Sequence, residues 1–260
     1  MGEKMRKAPI FLTLGQVRFN PILQMAESVS ALQERLRKLG YADFSKDDVK
    51  TIQVNADGPT PQVDVIPTVR WRFANARKTS EYLLFADRLI FQTTAYETSD
   101  RFIESILSGV QLVHETVQLA YIEGVSVRTL DAIVPVPGET LTKYLHPQLL
   151  GFYGLSTGKL KQNFLQALSE FEGNKQLITK VVVLSGRLGI AIDLLPITLV
   201  VAERFTMTNC EHAILDNDCA IQERFEWDQG NVSEKLRSAK STATEAFKSA
   251  VTREALDAWR

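Results

Sequence analysis

Polar and apolar residues alternate along Val65–Asn75, with Val69, Trp71 and Phe73 on one side and Thr68, Arg70 and Arg72 on the other. A period of two predicts a strand with one face on a core and one in water. Glu81–Asp87 and Arg88–Tyr96 read as further strands, and the tight connection at Ala86-Asp87-Arg88 makes them an antiparallel hairpin. The period then changes. Phe102, Ile106, Val110, Val113 and Val117 recur every three or four residues along Asp100–Leu119, as on one face of an amphipathic helix, with Thr98 or Ser99 as its cap. Gly124–Ile133 returns to strand.

The flanking chain extends this order. Met1–Lys7 reads as a tail and Pro9–Phe19 as a strand. Asn20-Pro21 offers a helix start, and Met25, Val29, Leu32, Leu36 and Leu39 form a narrow apolar seam that Gly40 ends. Ala42–Val49 reads as a polar connection, Val49–Asn55 as a short edge strand and Asp57-Gly58-Pro59 as a loop. Thr140–Tyr153 is a short helical segment with Pro147 as a breaker. Glycines mark Gly151–Lys159 as a boundary between halves, 1–150 and 151–260, packed as one unit. Beyond it, Lys161–Glu172, Gln176–Ser185, Leu188–Leu195, Thr198–Phe205 and His212–Phe225 read as strands. A final helix follows, where Asn231 and Glu234 have capping-box spacing. The expected fold is α+β: a curved antiparallel sheet in two similar strand-strand-strand-helix halves, with long amphipathic helices packed on it.

Composition narrows the function. The chain has 260 residues with 30 basic and 31 acidic side chains, a balance that disfavours nucleic acid as a partner. Its most apolar run, Ile190–Ala202, is interrupted by Asp193 and Pro196 and is too short to span a bilayer. Two cysteines, no CxxC and no apolar leader segment point to a cytoplasmic protein.

No phosphate-binding glycine loop, HExxH or GxSxG motif occurs. The densest polar cluster is Cys210, Glu211, His212, Asp216, Asp218 and Cys219. These are zinc or manganese ligand types, but on an extended strand Cys219 points away from Cys210, His212 and Asp216. Asp216-Asn217-Asp218 has turn chemistry, so a hairpin or bulge with buried cysteines is the competing reading, and no metal or cofactor is expected. Arg70 and Arg72, with Arg128 and the nearby Arg88, could form a cationic patch for phosphate or carboxylate, because the guanidinium fork binds such groups bidentately. Solvated arginines paired with neighbouring carboxylates are the alternative.

Five pieces together resemble a sporadically distributed group of bacterial proteins of unknown function: Val17–Ile22 (VRFNPI), Trp71–Asn75 (WRFAN), Leu89–Phe102, Val127–Ile133 (VRTLDAI) and Ile214–Asp218 (ILDND). Against the pattern of that group, Arg128, Leu130 and Asp131 fit or nearly fit, whereas Ser126 replaces a glycine and Thr129 a tyrosine. Asp131 stands with Arg70, Arg72 and Arg128 in the candidate ligand-binding set, although the resemblance implies that a ligand served by that tyrosine and by the asparagine in place of Asp131 would be lost here. It also implies a setting in phage defence or toxin–antitoxin pairs. The expected function is a non-enzymatic binding or accessory protein acting through a protein partner or as a homo-oligomer. The alternative is a phosphate or nucleotide sensor, or a metal-dependent enzyme, using the arginines or the Cys210–Cys219 region.

Overall fold

The computed structural model describes residues 7–55, 62–155, 158 and 160–260. Most of the expected tail, the loop at Asp57-Gly58-Pro59 and part of the Gly151–Lys159 boundary lie outside them. The fold is α+β, with a ten-stranded sheet and five α-helices. In chain order the elements are β1 (Ile10–Phe19), α1 (Met25–Lys38), β2 (Asp43–Asn55), β3 (Gln62–Ala74), β4 (Ser80–Leu84), β5 (Arg88–Thr93), α2 (Ser99–Val117) and β6 (Tyr121–Ile133). They continue with β7 (Gln162–Phe171), β8 (Lys175–Arg187), α3 (Glu203–Thr206), β9 (Asn209–Ile221), β10 (Phe225–Glu226), α4 (Gln229–Ala250) and α5 (Arg253–Trp259).

The strand order is β2-β3-β4-β5-β1-β6-β9-β8-β7, with β10 on β6, and every ladder between described residues is antiparallel. The central pair is β1/β6, in register from Leu12↔Leu130 to Arg18↔Gly124. Helices α1, α2 and α4 cover one face. Their apolar stripes (Leu32 and Leu36; Phe102, Ile106 and Val110; Val232 and Leu236) close on Trp71, Phe73, Tyr82, Phe91, Val17 and Val127. The approach is close enough to need glycine at one helical position: a Cβ on Gly109 of α2 would lie 2.3 Å from the Tyr82 ring. The Tyr82 hydroxyl is itself fixed by donation to the Ser105 carbonyl at 2.6 Å.

Several expectations change. Asn20 does not cap α1; its side-chain oxygen accepts from the Ala120 and Tyr121 amides at 2.9 and 3.3 Å and ties β1 to the start of β6. The polar stretch before Val49 is already strand, because β2 starts at Asp43 and pairs with β3 along its length. Thr140–Tyr153 holds two single 3-10 turns, Leu141–Lys143 and Pro147–Leu149. Leu188–Leu195 and Thr198–Phe205 are not strands. Together they form a strap, residues 188–208, that joins β8 to β9 with one 3-10 turn and the short α3. Asp216-Asn217-Asp218 makes no turn but lies inside β9, held by ladders on both sides. The last helix is capped by Asp228, which accepts from the Asn231 amide, three residues ahead of the expected cap.

Candidate functional site on the outer sheet face and its open edge

The sheet face away from the helices is crossed by the strap. Leu199 and Phe205 pack on Phe11, Leu12, Leu130 and Ile214. The strap is pinned along its length: the Gly189 amide donates to His212 Nε2 (3.4 Å), the Thr198 hydroxyl to the buried Glu81 (2.9 Å) and the Val200 amide to the Lys78 carbonyl (2.7 Å). Arg204 adds a 2.6 Å bond to the Ala8 carbonyl. Since His212 Nε2 accepts, Nδ1 carries the proton and donates to the Cys210 carbonyl at 3.0 Å.

Arg128 is the buried anchor beneath the strap. Its Nε and Nη2 donate to both oxygens of Asp216 at 2.8 and 2.7 Å, and its Nη1 and Nη2 reach Asp193 of the strap. Burial lowers the guanidinium pKa, but the two carboxylates overcome this and raise it above its ordinary value. Asp193 is opposed by burial, yet Arg128 holds its carboxyl below the usual range. Asp218, beside them, is raised by burial. The Arg128 fork is thus occupied by carboxylates of the chain itself.

The other candidates lie elsewhere. Arg70 pairs with Asp47 at 2.9 Å, and Arg72 bonds the Ser45 hydroxyl at 3.0 Å and lies 3.6 Å from Glu81. From β3 to β6 is four strand steps, about 19 Å, so Arg70 and Arg72 do not meet Arg128. Arg88 stays on its own turn, paired with Asp87 and stacked over Phe85. Asp131 is three residues from Arg128 on β6 and therefore faces the helices, not the strap. It is buried there, its carboxyl pushed up to about 7 by desolvation, against the pull of Lys240.

The Cys210–Cys219 residues are spread along β9. Cys210 is exposed, while Cys219 is buried with its thiol pushed up to about 11 by desolvation. Glu211 accepts from the Tyr153 hydroxyl at 2.6 Å, and Asp216 belongs to Arg128. Among the described residues, no three histidine, cysteine or carboxylate side chains converge to hold a metal ion.

The strand expected at Lys161–Glu172 is β7, and what the sequence reading missed is its place at an open end of the sheet. All residues of β7 except Asn163 and Leu165 are exposed, Phe164, Leu168 and Phe171 among them. Phe152 and Leu155, exposed in the segment before it, enlarge the apolar area. Beside β7 a groove of about 380 Å³ runs between the outer face and the start of the strap. Phe164, Val182, Leu184 and Ile190 line its apolar part, and Lys180, Asp193 and Asp216 its charged part. The missed signal was compositional: β7 carries one charged residue, Glu170, in ten, and no proline.

No helix among the described residues is long and apolar enough to cross a membrane. Comparison with known proteins finds no family model and no curated protein that matches the chain.

Proposed function

We propose that the chain is a non-enzymatic binding protein that works through protein–protein contacts, taking an extended segment of a partner polypeptide as an added strand on β7. The observation that carries this is an end strand ten residues long, exposed, nearly uncharged and bordered by a groove. Unpaired backbone N–H and C=O groups along such an edge supply affinity, and neighbouring pockets for side chains supply choice of partner. Apolar residues of the segment would rest on Phe164 and Leu168. The charged part of the groove is balanced, because Arg128 already pairs with Asp193 and Asp216 beside Lys180, so the apolar lining carries the selection. The resemblance to sporadically distributed bacterial proteins supports a defence or toxin–antitoxin setting for these contacts, and the cysteine usage supports a cytoplasmic one.

The finer architecture belongs to the same reading: two similar halves, meeting at β1/β6. Outward from that pair the orders are β5-β4-β3 and β9-β8-β7. Nine residues before the caps of α2 and α4, Thr98 and Asp228, stand Leu89 on β5 and Cys219 on β9. Their ladder partners are Val17 and Val127, each followed by arginine, Arg18 and Arg128. Such a match of register, cap and sequence supports a duplication in which β2 and the strap were added to different halves.

A display library of ten-residue peptides screened against the immobilised chain tests the binding role. The expected binders alternate apolar residues with polar ones. Their affinity should fall at least about tenfold in a Phe164→Lys/Leu168→Lys variant. Binders indifferent to that variant, or a library that yields none, would overturn the proposal.

A further inference from the structure

On the opposite face, under the helices, polar residues line up where a core would ordinarily be apolar. Ladder partners run in one row across six strands: Ser80, Thr93, Thr13, Thr129, Asn217 and Thr179. Asn75 extends the row, its side-chain amide donating to the Ser80 hydroxyl at 2.9 Å. All six ladder residues point to the helix side, sharing the parity of Leu84, Phe91, Val17, Val127, Cys219 and Leu177. The row separates the core around Val17 and Val127 from that around Ile133, Val181 and Leu215. Burying hydroxyls and amides is costly unless they are bonded. Thr179 donates to Asn217 Oδ1 at 2.8 Å, yet Thr13 Oγ1 and Asn217 Nδ2, both fully buried, have no partner among the described residues.

At one end the row opens. A cleft of about 450 Å³ lies between β4/β5 and α2, within the size range of small-molecule sites. Ser80 and Thr93 of the row line it, together with the buried rings of Phe91 and Phe102 and the exposed Arg77 and Arg101. Arg101 pairs with Glu97, whereas Arg77 makes no ion pair among the described residues. Tyr96 also lines the cleft, and behind its ring, 5.2 Å from the centroid, lies the Lys240 ammonium of α4. Lys240 is buried, donates to Thr244 at 3.0 Å and attracts Asp131, two residues beyond Thr129 on the same face of β6.

We propose that this cleft and the adjoining polar row form a binding site for a small aromatic organic anion. The ring of the ligand packs on Phe91 and Phe102, its acidic group takes Arg77 and, in competition with the lining Glu97, Arg101, and Ser80 and Thr93 at the open end of the row receive its hydrogen-bonding end. The acid could be a carboxylate or a phosphate, since both fit paired guanidinium groups. The site lies across the sheet from the β7 groove, so either can fail without the other.

Calorimetric titration of the whole chain with phenylacetate, AMP and inorganic phosphate decides it. At least one aromatic anion should bind with a dissociation constant below about 1 mM, and inorganic phosphate at least about tenfold more weakly, because it cannot use the rings. Stronger binding of AMP would assign the phosphate, and of phenylacetate the carboxylate. Arg77→Gln/Arg101→Gln should weaken the better probe at least about tenfold while leaving the melting temperature unchanged. No binding by either aromatic probe, or full binding by that variant, would overturn the assignment.

Discussion

The two ends of the sheet face the same physical problem and treat it differently. β2 carries five charged residues in thirteen, Asp43, Lys46, Asp47, Asp48 and Lys50, and is paired with β3 along its whole length. β7 is of similar build but carries one charge in ten, with three exposed large apolar side chains. Natural sheets blunt their edges with charge, proline or bulges, because a bare edge recruits other strands. One end of this sheet follows that rule and the other does not. The difference supports the proposal that β7 pairs with a partner strand and that the strap beside it shapes what can pair there.

Four substitutions would break or sharpen this contrast. The largest effect belongs to the anchor of the strap. Arg128→Met strands the buried Asp216 carboxylate and should cost about 3–5 kcal/mol in urea unfolding. The matching change beside the charged edge, Arg70→Met, touches a half-exposed pair and should cost less than about 1 kcal/mol. If both cost the same, the strap is no better anchored than an ordinary surface loop. Gly109→Ala forces a methyl into the Tyr82 ring on the helix side and should destabilise by about 1–3 kcal/mol, leaving peptide binding at β7 untouched once folded. Asp131→Asn, near the centre of the sheet, should affect both ends alike. Burial raises the Asp131 pKa to about 7, so the folded chain holds a proton that the unfolded chain releases near pH 4. Its contribution to stability is therefore full below about pH 4 and is lost as pH rises to about 7. The asparagine variant should flatten that part of the stability–pH curve, as thermal melts from pH 4 to 8 would read.

Much of the frame was legible in the sequence, for a local reason. Period-two alternation in Thr68–Phe73 and helical spacing in Phe102–Val117 are set by which side of one element is buried. Where burial depends on a distant partner, the local pattern misled. The first part of β2, before Val49, read as connection because an edge strand can be charged on both faces. The strap read as two strands because its apolar residues, Leu199 among them, are buried on the outer face without joining a ladder. Asp216-Asn217-Asp218 read as a turn because nothing local shows that Arg128 bonds Asp216 and Thr179 bonds Asn217 from the strands on either side of β9. The same limit governed the candidate site. Each arginine was visible, but the four strands' width between Arg72 and Arg128 is a property of sheet order. The open edge at β7 depends on sheet order as well, and its single charge in ten residues was the one local hint of it.

Hydrogen–deuterium exchange of the backbone amides, with and without a saturating display-selected peptide, tests the account most directly. In the free chain alternate amides of β7 face outward and should exchange as quickly as loop amides, while β8 and β9 are protected. The account predicts that the peptide slows those β7 amides and leaves β2 unchanged. Protection that appears at β2 or under the helices, with β7 still exchanging freely, would contradict it.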